Sequence, residues 1–304
     1  MLSGAGICGA QPTAYFALFQ TSFAPYVFDM TSNQTESRGR VLVIAGSDSG
    51  GGAGIQADIK AIMAMGGYAM TAITAITVQD TTGVHAVHAV PVETVIAQMK
   101  VCLRDIGADA VKTGMLGRAD LVEEAAETLD TLAPAVPRII DPVMVASSGD
   151  RLIDRRAVES ISSLLIPNAA LVTPNAPEAE ILTGKSVDGV NGQRRAAEAL
   201  LERGAKGALV KGGHVPGSPI TDVLQTEHGE WLFENRRIDT SSTHGTGCTL
   251  ASAIAARIAQ ADAMQEAVEA GRDYLFRAIE TAKGFGEGHG PVHHGWKLDM
   301  ADER

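Results

Sequence analysis

The sequence predicts an α/β fold in which helices cover a central, mostly parallel sheet, and three observations predict it. From Val41 onward, short β-branched runs alternate with stretches of helical periodicity, the pattern of repeated strand–helix units. Two junctions where an extended run gives way to a helix are rich in glycine, around residues 46–54 and 245–247. No break in composition marks a second domain, and no repeat of solenoid period is present.

In chain order, Val41–Ala45 reads as a buried strand and Ile55–Met65 as the helix that follows it. Ala69–Val78 is a second strand, Val92–Arg104 a helix, Ala110–Lys112 a short strand, Ala119–Leu132 a helix and Arg138–Asp141 a strand. Ala169–Thr173 and Gly207–Lys211 read as further buried strands, and a helix begins near Pro177 with Gly184 as its cap. Asp222–Leu224 and Trp231–Phe233 flank His228-Gly229 as a hairpin would. Gly247–Ala259 and Met264–Ala282 close the chain as helices. The expected organisation is a leader over residues 1–39, poorly ordered and without basic residues before Arg38, then one domain over 40–295 and a tail over 296–304. Met30 is a candidate start within that leader.

Composition narrows the function. The 304 residues are 45% hydrophobic and 20% charged, as in an ordinary globular protein. There are 36 acidic against 25 basic side chains, a net charge of -11, and no long basic run, so nucleic acid is not the expected partner. The same field repels a nucleotide triphosphate, so a phosphate site must be built locally from backbone amides, lysine and a divalent cation. Cys8, Cys102 and Cys248 are too few and too scattered for a disulfide framework, which fits a reducing, cytoplasmic compartment. No apolar run reaches the ~18 residues that a membrane-spanning helix needs.

The first glycine-rich junction, Ala45-Gly46-Ser47-Asp48-Ser49-Gly50-Gly51-Gly52-Ala53-Gly54, puts five glycines in nine residues at the end of an apolar strand. Missing Cβ atoms let a ligand approach the main chain, and the following helix offers unpaired N–H donors. The spacing is not a dinucleotide fingerprint, since the third glycine would fall at Ile55. The second junction, Thr243-His244-Gly245-Thr246-Gly247-Cys248-Thr249, places amides at a helix start, where an anion is favoured. The same position predicts a lowered pKa for the Cys248 thiol. Thr183-Gly184-Lys185-Ser186 imitates the end of a phosphate loop, but its first glycine is replaced by Ala179.

Between these junctions stand Thr77-Val78-Gln79-Asp80-Thr81, Val111-Lys112-Thr113-Gly114-Met115-Leu116, Asp141-Pro142-Val143-Met144, Thr173-Pro174-Asn175-Ala176-Pro177-Glu178 and Val210-Lys211-Gly212-Gly213-His214. Together, in this order and over residues 41–295, they resemble the hydroxymethylpyrimidine and phosphomethylpyrimidine kinases of thiamine biosynthesis. The resemblance implies a ribokinase-like three-layer α/β/α sandwich. It implies transfer of the γ-phosphate of ATP, with Mg2+, to 4-amino-5-hydroxymethyl-2-methylpyrimidine and then to its monophosphate, giving the pyrophosphate. A homodimer is implied as well.

By motif position the resemblance makes Gln79 the reader of the pyrimidine edge, with Gly46, Ala53, Asp58, Met115 and Val143 shaping the pocket. It puts Asn175, Lys211 and Thr246 on the ATP side and Glu178 and Asp141 as hard-oxygen ligands for magnesium. It gives Cys248 the acceptor-activating role, beside the amides of Gly245, Thr246 and Gly247. Read without the resemblance, Asp58 and Asn175 are also candidate helix-start residues, Met115 is a candidate core residue, and His244, His85 and His88 are polar or packing residues. Gly83 and the stretch Gly212–Pro219 are candidates for a loop that closes over the site. Gly50, Thr77 and Asp80 depart from the family's usual residues, which concerns the shape of the pyrimidine pocket. Two other readings stay open: a pyridoxal or pyridoxine kinase of the same superfamily, and a pyrimidine- or nucleotide-binding sensor without turnover.

Overall fold

Apolar runs buried on both faces demand partners on both faces, and the chain supplies them with helices that return each strand to its neighbour. The computed structural model describes residues 39–144 and 153–302. The leader expected over residues 1–39 therefore lies, but for Gly39, outside the described residues.

β1 (Arg40–Ser47) leads through the first glycine-rich turn into α1 (Gly54–Ala64), and β2 (Tyr68–Gln79) turns back as β3 (Val84–Ala89). α2 (Val92–Asp105), β4 (Ala110–Thr113), α3 (Ala119–Leu132) and β5 (Arg138–Ile140) follow. α4 (Arg155–Ser160) runs on through a π turn and a 3-10 turn to Asn168, ahead of the two-residue β6 (Leu171–Val172). Then come α5 (Ala176–Thr183), α6 (Val190–Glu202), β7 (Gly207–Val210) and the hairpin β8 (Ile220–Thr226) and β9 (Gly229–Asn235). α7 (Thr246–Ile258), α8 (Met264–Glu280) and α9 (Trp296–Asp302) complete the described chain.

The strands form one nine-stranded sheet in the order β3-β2-β1-β4-β5-β6-β7-β8-β9. The six from β2 to β7 are parallel, and β3, β8 and β9 add antiparallel edges. Alternation along each strand divides the core. Leu42, Ile44, Val111 and Val172 face α2, α3, α5 and α6, while Val41, Val43, Ala110 and Leu171 face α1, α7 and α8. This is the three-layer α/β/α sandwich that the resemblance implies. The parallel strands end their C-terminal edges together, where a doubly wound sheet leaves its ligand crevice.

Four elements were not expected, the fourth being α9, which lies in the stretch expected as a tail. β3 has no apolar face to announce it: five of its six residues are exposed. α4 lies beside residues outside the described set, and α6 opens on Gly189-Val190-Asn191-Gly192, which reads as a turn. Gly184 adopts the left-handed conformation that ends α5, as its place after the helix requires. Trp296 of α9 packs on Tyr274 with ring centroids 6.0 Å apart, and its Nε1 donates to the Tyr274 carbonyl.

Candidate active site

Gly52 of the first junction and Gly245 of the second are bare for one another. A Cβ on Gly245, whose φ of +78° already suits glycine, would lie 1.8 Å from the Gly52 carbonyl oxygen, and one on Gly52 would lie 2.5 Å from His244 Cδ2. Within the first turn, a Cβ on Gly54 would lie 2.4 Å from the Gly46 carbonyl oxygen. Loops that approach this closely must be bare, and their contact closes one end of a cavity of about 730 Å3 at the C-terminal edge of the sheet.

Asp48 and His244 pin the two loops. The Asp48 carboxylate accepts from the amides of Gly50, Gly52 and Ala53 at 2.8–3.0 Å and meets His244 Nε2 at 2.8 Å. Burial alone would raise the Asp48 pKa, but the His244 hydrogen bond and the Ala53 and Gly50 amides outweigh it and hold the carboxyl below its usual range. His244 Nε2 is also 3.4 Å from Gln79 Nε2. Neither Asp48 nor His244 was expected in the site. His244 had read as a packing residue, and its only sequence signal was its place directly before Gly245.

Every predicted site residue except Asp58 lines this cavity. Gly46, Ala53, Gln79 and Met115 lie toward the first loop, and Val143, two residues after Asp141, also lines the cavity. Gly46 has no Cβ because Met115 Cε occupies that space, 2.5 Å from where it would be. Thr77 Oγ1 donates to the Ser47 carbonyl at 2.8 Å and lies 3.2 Å from Gln79 Oε1, so this departure from the family pattern steadies Gln79. Asp80 turns the tip of the β2–β3 hairpin, accepting from the Thr82 and Gly83 amides and pairing with His85 at 2.9 Å.

Asp58 is a correction. It is completely buried inside α1, one turn beyond Gly54, where it meets Lys112 and Ser252 instead of the cavity. Its number in the motif gave no sign of depth, because that depends on Lys112 arriving from β4.

On the other side, the Lys211 ammonium lies 3.4 Å from Asp141 Oδ1, and a Cβ on Gly247 would lie 3.4 Å from it and 3.7 Å from Asp141 Oδ2. A glycine-flanked helix start, a lysine and a carboxylate thus converge at α7. Asn175 caps α5 in a reciprocal capping box: its side chain accepts from the Glu178 amide and Glu178 Oε2 accepts from its own. Both readings of Asn175, cavity wall and helix cap, therefore hold at once. Arg237 donates to the carbonyls of Gly213, Val215 and Gly217, tying down part of the stretch expected to close over the site.

The residues present suit a hard cation. Asp141 Oδ2 is buried with no hydrogen-bond partner among the described residues, and Glu178 lies close enough for each carboxylate to oppose the other's charge. Among the described residues no group of three or more His, Cys, Asp and Glu gathers, so phosphate oxygens and water would complete the coordination.

Burial pushes the Glu178 carboxyl up to about 7, with Lys211 opposing and Asp141 adding to the rise. A raised acid favours the folded state fully below the ordinary carboxylate range and loses that contribution as pH climbs through the folded value. Glu178→Gln keeps the capping box and removes this slope. Its stability is expected to match the parent protein's near pH 4 and to exceed it at pH 8 by on the order of 2 kcal/mol, seen as a higher melting temperature there. Thermal unfolding at the two pH values checks this; a variant less stable at pH 8 contradicts it.

Cys248 corrects a second expectation. Its thiol was predicted to be acidic at a helix N-terminus. Instead, burial pushes it up to about 12, and Asp58 and Asp141 add to the rise while Lys112 and the Gly54 amide oppose it. The helix end is real, but burial of the thiol outweighs it, with two carboxylates from elsewhere in the chain adding to the rise.

The phosphomethylpyrimidine kinase family matches residues 48–293. The chain is 47% identical over 259 residues to the hydroxymethylpyrimidine/phosphomethylpyrimidine kinase of Streptomyces coelicolor, covering 85% of this chain and 95% of the relative. It is 44% identical over 256 residues to the Bacillus subtilis protein of the same name, covering 84% and 94%. Among solved structures, phosphomethylpyrimidine kinase from Clostridium difficile superimposes with a TM-score of 0.71 at 39% identity, covering 79% of this chain and 99% of that one. The Bacillus subtilis pyridoxal kinase, solved as an ADP complex, gives 0.79 at 34% identity, covering 84% and 97%. Shared sequence over this length, on a matching sandwich, places the chain in the phosphomethylpyrimidine kinase family.

Proposed function

We propose that the protein uses ATP and Mg2+ to phosphorylate 4-amino-5-hydroxymethyl-2-methylpyrimidine, and then its monophosphate, within thiamine biosynthesis. The observation that carries the proposal is the shared cavity. Gln79, a reader suited to a pyrimidine edge, lies beside the loop whose next residues are the Gly245–Cys248 amides, so one molecule can span from recognition to transfer.

In the first transfer the hydroxymethyl oxygen bonds to the γ-phosphorus as the bond to the bridging oxygen of ADP breaks, and the hydroxyl proton passes to Cys248 Sγ in its thiolate form. Such a transition state is loose and asks the protein chiefly for positioning and charge. Gln79 and the first glycine loop hold the ring, and Cys248 Sγ stands by the acceptor. The Gly245, Thr246 and Gly247 amides and Lys211 face the transferring group. A magnesium ion held by Asp141 and Glu178 would neutralise phosphate charge. In the second transfer the acceptor is already an anionic phosphate, and no hydroxyl proton has to leave.

Among the described residues no helix is long and apolar enough to cross a membrane. A cytoplasmic location and a homodimer belong to the same proposal and rest on composition and on the family resemblance. Mass spectrometry of products from hydroxymethylpyrimidine and ATP is expected to show a monophosphate and then a diphosphate. Pyridoxal is the control acceptor, because the fold is shared with pyridoxal kinases. Product from pyridoxal alone overturns the proposal, and binding without ADP formation points to a sensor.

A further inference from the structure

Beneath the cavity floor, a buried ionic cluster has no part in the chemistry described so far. Helices α1 and α7 each carry a polar side chain one turn in from the site: Asp58 four residues after Gly54, and Ser252 four residues after Cys248. β4 sends Lys112 toward the same layer, and Lys112, Asp58 and Ser252 are all completely buried. Lys112 Nζ donates to Asp58 Oδ1 at 2.8 Å, and Ser252 Oγ donates to the same oxygen at 2.6 Å. Asp58 Oδ2 is buried without a hydrogen-bond partner among the described residues.

A buried ion pair is a poor source of stability, since desolvation cancels most of its attraction and apolar residues of similar volume often serve as well. A half-satisfied one is poorer still. The cluster's place in the fold is more telling. A Cβ on Gly114 would lie 3.0 Å from both Lys112 Nζ and Ala45 Cβ, so the ammonium sits directly under the strand ends that floor the cavity. Ser252 and Cys248 share one face of α7.

We propose that Lys112 is a positioning residue for the first phosphoryl transfer: held by Asp58 and Ser252, its ammonium supplies the counter-charge for the small thiolate fraction of Cys248. The charged groups around that thiol come from every packed element. Lys112 of β4 and the Gly54 amide of α1 favour the anion, Asp58 of α1 and Asp141 after β5 oppose it, and Lys211 after β7 is a second cation within electrostatic reach. Asp58 thereby orients the lysine and also moderates its field.

The proposal rests on the reading of Cys248 as the group beside the acceptor, so its test reads the thiol independently of turnover. In the full-length protein without substrate, iodoacetamide alkylation of Cys248 is followed between pH 8 and 10 by peptide mass spectrometry. The double variant Lys112→Met/Asp58→Leu replaces the pair with apolar groups, and its Cys248 alkylation at pH 9 is expected to slow about fivefold. Its first-transfer kcat falls similarly, while KM for hydroxymethylpyrimidine stays within about twofold. Asp58→Asn keeps an acceptor for both donors but drops the opposing charge, and its alkylation is expected to quicken. Alkylation that is unchanged in both variants, or shifts in the same direction in both, overturns the proposal. Should the double variant fail to fold, Asp58→Asn decides alone: alkylation no faster than in the parent protein overturns it. If the parent protein makes no pyrimidine phosphate, the functional reading fails while the alkylation profile still judges the role of Lys112.

Discussion

Lys211→Met is expected to cut turnover in both phosphoryl transfers by about 10^2–10^3, the loss typical of removing one preorganised charge from a site of this kind. In the proposed mechanism one phosphate path serves both acceptors and Lys211 is the cation assigned to it; its ammonium lies 3.4 Å from Asp141 Oδ1 and against the bare face of Gly247. A second effect compounds the first. Lys211 is the main influence opposing the raised pKa of Glu178, so without it that carboxyl holds its proton to higher pH. A protonated Glu178 is a weaker magnesium ligand, and the variant is expected to need more Mg2+ for half-maximal rate. Single-turnover measurements on each acceptor, repeated across a magnesium titration, check both parts. Losses below about fivefold in both steps would remove Lys211 from the transfer.

Cys248→Ala is expected to separate the two reactions. For the hydroxymethyl acceptor a proton must leave oxygen during transfer, and loss of a group positioned to receive it costs about 10^2 or more. For the monophosphate the attacking oxygen is already anionic, so the same variant is expected to lose only a few-fold. The comparison is made with hydroxymethylpyrimidine and its monophosphate in separate assays of one protein preparation. Equal losses contradict the role. The cavity-facing position of Cys248 makes alanine an easy replacement sterically, so a folding defect is not the expected cause of either loss.

Most of the sandwich was legible because its strands are short apolar runs between turn residues, and its long helices carry clear periodicity. α3 begins and ends at Ala119 and Leu132 as its pattern predicts. β3 was not legible, since Val84–Ala89 is an exposed edge whose alternation of valine, histidine and alanine buries little. In the site, identity outran environment. The motif residues Gln79, Glu178, Lys211 and Gly245–Cys248 are local words in the sequence, and they meet at one cavity. The state of the Cys248 thiol is not local. It depends first on burial by the packed elements around it, then on Lys112, Asp58 and Asp141, and the two aspartates, 190 and 107 positions away in the chain, were expected to serve the pyrimidine and the metal. His244 escaped for the same reason, because its partner Asp48 lies 196 residues earlier.

The interlock of Gly52 with Gly245 has a bearing on how such an enzyme could be altered. A designer who wished to graft a new acceptor preference by exchanging only the stretch after β1 would disturb the phosphate end too, because a side chain added at Gly52 would push into His244 of the neighbouring turn. The two stretches behave as halves of a single hinge-less clasp, and new specificity has to be introduced into both at once.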